Sequence, residues 1–143
     1  MLRWTPQVIQ CSGWMAALAP LYLKRAFADT PFFSHAKIVL SIDDNEYQTP
    51  FGTKFAHKLL VDGVQPFHVR SIEGFPVGYE ELMRLAIDNA DAIIFSSPTI
   101  NSRVRNYAET SGKPILEYSA EDMVQRNWEF CNSLLETKEK DEE

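Results

Sequence analysis

Four short apolar runs, each too brief for a helix and each closed by polar or turn residues, constrain most tightly what this chain can fold into. Lys37–Ile42 (KIVLSI) and Ala92–Phe95 (AIIF) place β-branched and large aliphatic side chains at successive positions, so both faces of each run call for burial. An alternating run would leave one face to water. A continuous one predicts a strand covered on both sides, as in a parallel sheet. Val8 and Ile9, closed by Cys11, form a first run of this kind, and Ile115–Tyr118 forms a fourth.

Between the runs, apolar residues recur at helical spacing. Trp14, Ala17, Leu18 and Leu21 predict a helix from Trp14 to about Phe27, capped by Ser12–Gly13. Pro20 should kink that helix, since a proline in mid-helix removes a backbone hydrogen bond at a cost of roughly 3 kcal/mol. Asp29–Ser34 makes a turn. A short helix within Thr53–Leu60 turns Phe55, Leu59 and Leu60 inward, in a region otherwise broken by glycine and proline up to Tyr79. Leu82, Leu85 and Ala86 predict a helix over Tyr79–Asn89. Ser97–Pro98 then offers a hydroxyl cap and a first-turn proline for the next helix, with Ile100, Val104, Tyr107 and Ala108 inward and Gly112 at its left-handed end.

Ser119, with Asp122 three residues on, predicts the cap of the last helix. Val124, Trp128, Cys131 and Leu135 are its expected docking face, with Met123, Phe130 and Leu134 beside them. Lys138–Glu143 (KEKDEE) has nothing to bury and is expected as a frayed tail. Residues 1–137 therefore predict one domain and 138–143 its tail. The order β-α-β-α-α-β-α-β-α predicts an α/β fold, a three-layer Rossmann-like parallel sheet with helices on both faces and right-handed crossovers.

Composition excludes several classes of function. Of the 143 residues 45% are hydrophobic, enough for one sizeable core and too few for a second domain. The net charge of -6, with Lys and Arg scattered, speaks against a nucleic-acid partner. No apolar run approaches the roughly 20 residues that span a bilayer. Cys11 and Cys131 are the only cysteines, and no secretory signal precedes them, which predicts free thiols and a cytoplasmic setting. His35, His57 and His68 lack the spacing of a metal site and are expected at the surface.

In open α/β sheets ligands bind beyond the carboxyl ends of the strands. Two polar clusters lie there, Ser12-Gly13-Trp14 after the first strand and Asp43-Asp44-Asn45 after the second. Each has a plain structural reading beside a functional one. Ser12 suits a helix cap, and Trp14 suits core packing with its indole N–H bonded. Asp43 and Asp44 can solvate a turn, hydrogen-bond sugar hydroxyls or hold a divalent cation. Ser97 and Thr99 are caps first.

The motifs around these clusters resemble the amino-terminal catalytic domain of bacterial glycogen synthases and plant starch synthases. In that family a strand leads into H-x-H-D-W and an A-L-x-P helix. Here Gln10-Cys11-Ser12-Gly13-Trp14 leads into Ala17-Leu18-Ala19-Pro20, which keeps Trp, Ala, Leu and Pro but neither histidine nor the aspartate. The next family motif, T-I-H-N-x-x-Y-Q-G-x-F, is matched by Ser41-Ile42-Asp43-Asp44-Asn45-Glu46-Tyr47-Gln48-Thr49-Pro50-Phe51, with Asp43 and Asp44 in place of His and Asn. A third, A-D, an apolar strand and S-P-T, appears as Ala90-Asp91 through Ser97-Pro98-Thr99. The resemblance covers roughly Pro6 to Val104. It is nearest to the carboxyl-terminal half of the short, single-domain glycogen synthase-like proteins of Bacteroidetes-type bacteria.

The resemblance implies half of a GT-B-type glycosyltransferase, an ADP-glucose-dependent α-1,4-glucan glucosyltransferase acting on α-glucan and ADP-glucose, with no bound cofactor or metal. It also implies substrate contacts at Ser12, Gly13, Trp14, Asp43, Asp44, Tyr47 and Gln48, where Tyr47 would stack on a glucan and Gln48 hydrogen-bond it. The family's K-x-G-G-L loop and its second, donor-binding Rossmann-like domain have no counterpart in this sequence, so no catalytic residue is assigned and the isolated chain is expected to be inactive. The alternative is a non-catalytic glucan-binding or accessory module that kept the fold and lost the histidine. Either reading leaves a sheet edge for a missing domain or for a second copy.

Overall fold

In the computed structural model, which describes residues 4–141 and the side chains of residues 4–136, the four apolar runs pair into a single sheet. Strands β1 (Val8–Ser12), β2 (Lys37–Ile42), β3 (Ala92–Phe95) and β4 (Ile115–Leu116) lie side by side in chain order, all parallel. Between and after them run helices α1 (Ala19–Lys24), α2 (Phe55–Lys58), α3 (Tyr79–Asn89), α4 (Ser102–Thr110) and α5 (Met123–Asp141). The sequence of elements is the expected one. Among the described residues no helix is long and apolar enough to cross a membrane.

Strand order dictates the layers. Each connection steps one strand in the same direction, and crossovers of one hand then place every linking helix on the same face. Leu21 of α1, Leu82 and Leu85 of α3, and Val104 and Ala108 of α4 accordingly share one core with Ile38, Leu40, Ile42, Ile93 and Phe95 of the sheet. The other face presents Val39, Ala92 and Ile94, which pack against Leu134 of α5 with Met123, Phe130 and Cys131 alongside. Three layers are present, unequally filled. Alternation along β2 and β3 sends successive side chains to opposite cores, so the continuous apolar runs are explained by burial on both faces.

Several boundaries differ from expectation for local reasons. The helix expected over Trp14–Phe27 is a 3-10 turn, Trp14–Ala16, followed by α1. Pro20 falls in the first turn of α1, where its missing N–H leaves no bond unmade, so it starts a helix and does not kink one. Ser97–Pro98 does not open α4. That helix begins five residues after Ser97, capped by the Asn101 carboxamide, whose oxygen accepts from the N–H groups of Arg103 at 3.0 Å and Val104 at 3.2 Å.

Ser119 likewise does not cap α5. Its hydroxyl accepts from the Glu121 N–H and donates to the Glu121 carbonyl, closing a turn ahead of the helix. The expected docking face of α5 is also corrected, because Val124 and Trp128 are 87% and 65% exposed while Leu134 is buried. The helix continues to Asp141 over most of the run expected as a tail, and Glu142 and Glu143 lie outside the described residues.

Candidate functional site at the carboxyl end of the sheet

Ser12 and Ser41 pair at the same level, so whatever follows β1 is set beside whatever follows β2. The Gly13 N–H donates to the Ser41 carbonyl at 2.9 Å and carries the ladder one residue beyond β1. At φ 73° and ψ 176° Gly13 occupies a backbone region open in practice to glycine alone. A Cβ here would also stand 3.4 Å from Asp43 Oδ2. This turn delivers Trp14 to an aromatic group centred on Tyr47.

The Tyr47 ring centroid lies 4.9 Å from Trp14, 5.1 Å from Phe51 and 6.2 Å from Tyr79, and Phe51 stacks on Phe55 at 4.4 Å. Its hydroxyl donates to the Val77 carbonyl at 3.0 Å. Phe51 and Val77 exchange backbone hydrogen bonds at 2.9 Å, so the loop after β2 is pinned to the segment that enters α3. Burial, and then the charge of Glu81, push the Tyr47 phenol up to about 12. Tyr79, the buried first residue of α3, is held well above the usual tyrosine value by burial and then by Glu46, Asp43 and Asp44. Three carboxylates thus act on one phenol.

Asp43 is partly committed within the protein, since its Oδ1 accepts from the Asn45 N–H at 2.9 Å and closes the turn after β2. Ser96, just past β3, donates to the Ile42 carbonyl through both its N–H at 2.9 Å and its hydroxyl at 3.1 Å, which ties the ends of β2 and β3 together. Of the residues expected at the site, Gly13, Trp14, Asp43 and Tyr47 are brought into one connected group. Ser12, Asp44 and Gln48 are exposed and, among the described residues, make no side-chain hydrogen bond.

Tyr79 and Glu46 join this group although the sequence did not single them out. Glu46 stood within the Ser41–Phe51 motif, and Tyr79 follows Gly78, the residue that caps α3, but the meeting of Tyr79 with Tyr47 depends on a glycine- and proline-broken loop with no periodicity to follow. Asp43, Asp44 and Glu46 do not form a metal cluster, and no group of three His, Cys, Asp or Glu suited to a metal ion occurs among the described residues. His35 and His57 are exposed, whereas His68 is half-buried and its Nδ1 accepts from the Gln65 N–H at 2.9 Å. Cys11 and Cys131 are free, and burial raises both thiols.

Residues 1–116 match the starch synthase catalytic domain family. The chain belongs to that family. The match takes in all four strands of this starch synthase-type sheet and every residue of the group around Tyr47. Among similar proteins, the glycogen synthase of Desulforudis audaxviator is 33% identical over 98 residues, covering 68% of this chain and 19% of the relative. That of Aeromonas salmonicida is 28% identical over 113 residues, 78% of the chain and 22% of the relative. That of Thermotoga maritima is 32% identical over 101 residues, 70% and 20%. The chain spans about a fifth of the length of the curated relatives it matches. As a starch synthase-family member it is glycogen synthase-like, with the parallel α/β sheet of half a GT-B-type glycosyltransferase.

Proposed function

We propose that this chain is the glucan-contacting part of an ADP-glucose-dependent α-1,4-glucan glucosyltransferase, and that it holds acceptor glucan without transferring glucose on its own. The observation that carries this reading is the union, at one end of the sheet, of the Trp14–Tyr47–Tyr79 aromatic group with the carboxylates of Asp43, Asp44 and Glu46. Sugar rings offer C–H faces to aromatic rings and hydroxyl donors to carboxylates. Because the Tyr47 hydroxyl is bonded inward and its ring is flanked by other rings, Tyr47 serves as the floor of the surface. The exposed side chains of Ser12, Asp44 and Gln48 rim it.

A nucleotide sugar asks for different chemistry. Transfer needs positioned donors around the pyrophosphate and a dry, closed cleft. The charges acting on Tyr79 here are all negative, which opposes a diphosphate. Ser12 and Gly13, which stand at the family's second histidine and its aspartate, supply one hydroxyl and no general base. Donor binding therefore falls to a second domain or subunit. A cytoplasmic location accompanies this reading.

An amide-resolved NMR titration with a maltooligosaccharide, then with ADP-glucose, tests it. Glucan should shift the amides of Gly13, Trp14, Asp44 and Gln48, Gln48→Ala should weaken the binding, and ADP-glucose should leave the spectrum unchanged. Silence with glucan, or shifts with ADP-glucose alone, would overturn the assignment. Incorporation of glucose into glycogen by the isolated chain would overturn its inactivity.

A further inference from the structure

We propose, resting on the glucan reading of this site, that Glu81 is a positioning residue for it: acting through the Val77–Gly78 peptide group, Glu81 sets the Tyr47 ring on which glucan lies. The Tyr47 hydroxyl donates to the Val77 carbonyl at 3.0 Å, and the Phe51 N–H donates to the same oxygen at 2.9 Å. The orientation of the Tyr47 ring therefore depends on where that carbonyl points. On the other side of the same peptide group, the Gly78 N–H donates to Glu81 Oε2 at 3.0 Å. A peptide unit is planar, so a bond that holds its N–H also holds its oxygen. Hydrogen bonds in such a chain polarise one another, which makes the Val77 oxygen a better acceptor for Tyr47.

Gly78 is built for this contact. It caps α3 without a side chain to offer, and Glu81 at the third helical position supplies the half of a capping box that reaches back. At φ -81° and ψ -179° the Gly78 backbone is extended and suits any residue. A Cβ there would nevertheless stand 2.8 Å from Glu81 Oε2, and within 4 Å it would meet nothing but that carboxylate. The approach of Glu81, not the backbone conformation, is what asks for glycine. Glu81 also has no competing ion pair among the described residues, whereas its neighbour Glu80 is taken by Arg103. Its charge reaches Tyr47 and, after burial, helps keep the proton on the hydroxyl that donates to Val77.

Amide exchange read by NMR, together with maltooligosaccharide affinity, tests the assignment in Glu81→Ala, Glu81→Gln and Gly78→Ala. In Glu81→Ala the Phe51 and Val77 amides, which bond to each other's carbonyls, should exchange about fivefold faster, the loss of one cap interaction. Glucan affinity should fall by a similar factor while the amides of β2 and β3 keep their rates. Glu81→Gln retains an acceptor oxygen and should restore both readouts. Gly78→Ala, which displaces the carboxylate alone, should reproduce Glu81→Ala, and the double variant should be no worse than either. If Glu81→Ala does not fold, Gly78→Ala decides. Unchanged exchange at Phe51 and Val77, or a loss in Glu81→Gln equal to that in Glu81→Ala, overturns the proposal. Glucan affinity equal in every variant overturns the role of Glu81 alone, whereas an unmodified chain that binds no glucan overturns the reading of the site and that role with it.

Discussion

Gly13 shows how much one residue decides at this site. Its backbone conformation is open only to glycine, and the turn it makes is what carries Trp14 to Tyr47 while bringing the chain within reach of Asp43. Gly13→Ala forces a side chain into that region, where such strain costs about 1–3 kcal/mol. Chemical denaturation should show a loss of that size, together with altered tryptophan fluorescence as Trp14 shifts; an unchanged midpoint would mean that the turn is not held as described. The position was legible from its place in the Gln10–Trp14 motif. Tyr47 stood out from its motif too, yet its inward hydrogen bond to Val77 did not, because residues 47 and 77 meet only through the loop closed at Phe51. Asp43 divides in the same manner. Its place beyond a buried strand was readable, but its commitment to the Asn45 N–H is a matter of geometry.

At the scale of elements, the type of each segment was readable and its facing was not always. The inner face of α4, Val104 and Ala108, follows from periodicity because only one apolar stripe exists there. α5 carries two stripes offset by one residue, Val124–Trp128 and Met123–Phe130–Leu134, and helical spacing admits both. The sheet chooses, since Val39, Ala92 and Ile94 form the surface to be covered and Leu134 is the side chain seated on it. Leu134→Ala should cost about 2 kcal/mol, the low end for a buried leucine. Trp128→Ala should stay within about 0.5 kcal/mol, as expected for an exposed residue. Urea denaturation of dilute protein distinguishes the two, and a larger loss at Trp128 would reverse the assignment of faces. The start of α4 went astray for a related reason. Ser97-Pro98 and Asn101 are both good starts by residue type, and only the carboxamide that reaches two N–H groups is the cap.

For the molecule as a whole, strand order is the governing fact. With β1 to β4 in sequence, one face receives α1, α3 and α4 while the other packs on α5. Removing residues 121–143 should expose Val39, Ala92 and Ile94 together and leave a chain that binds a hydrophobic dye and aggregates. A soluble truncated chain with native circular dichroism and no dye binding would show that α5 is dispensable. The sequence by itself determined the α/β class, the order of the strands and main helices, the parallel sheet and the polar clusters that follow β1 and β2. These follow from short-range physics: β-branched runs that must be buried on both faces, helical spacing between them, and glycines that permit the turns. Only the tertiary structure decided which stripe of α5 docks, which residue caps α4, and that Tyr79 and Glu46 join the group around Tyr47, because each depends on which surfaces a long-range packing brings together.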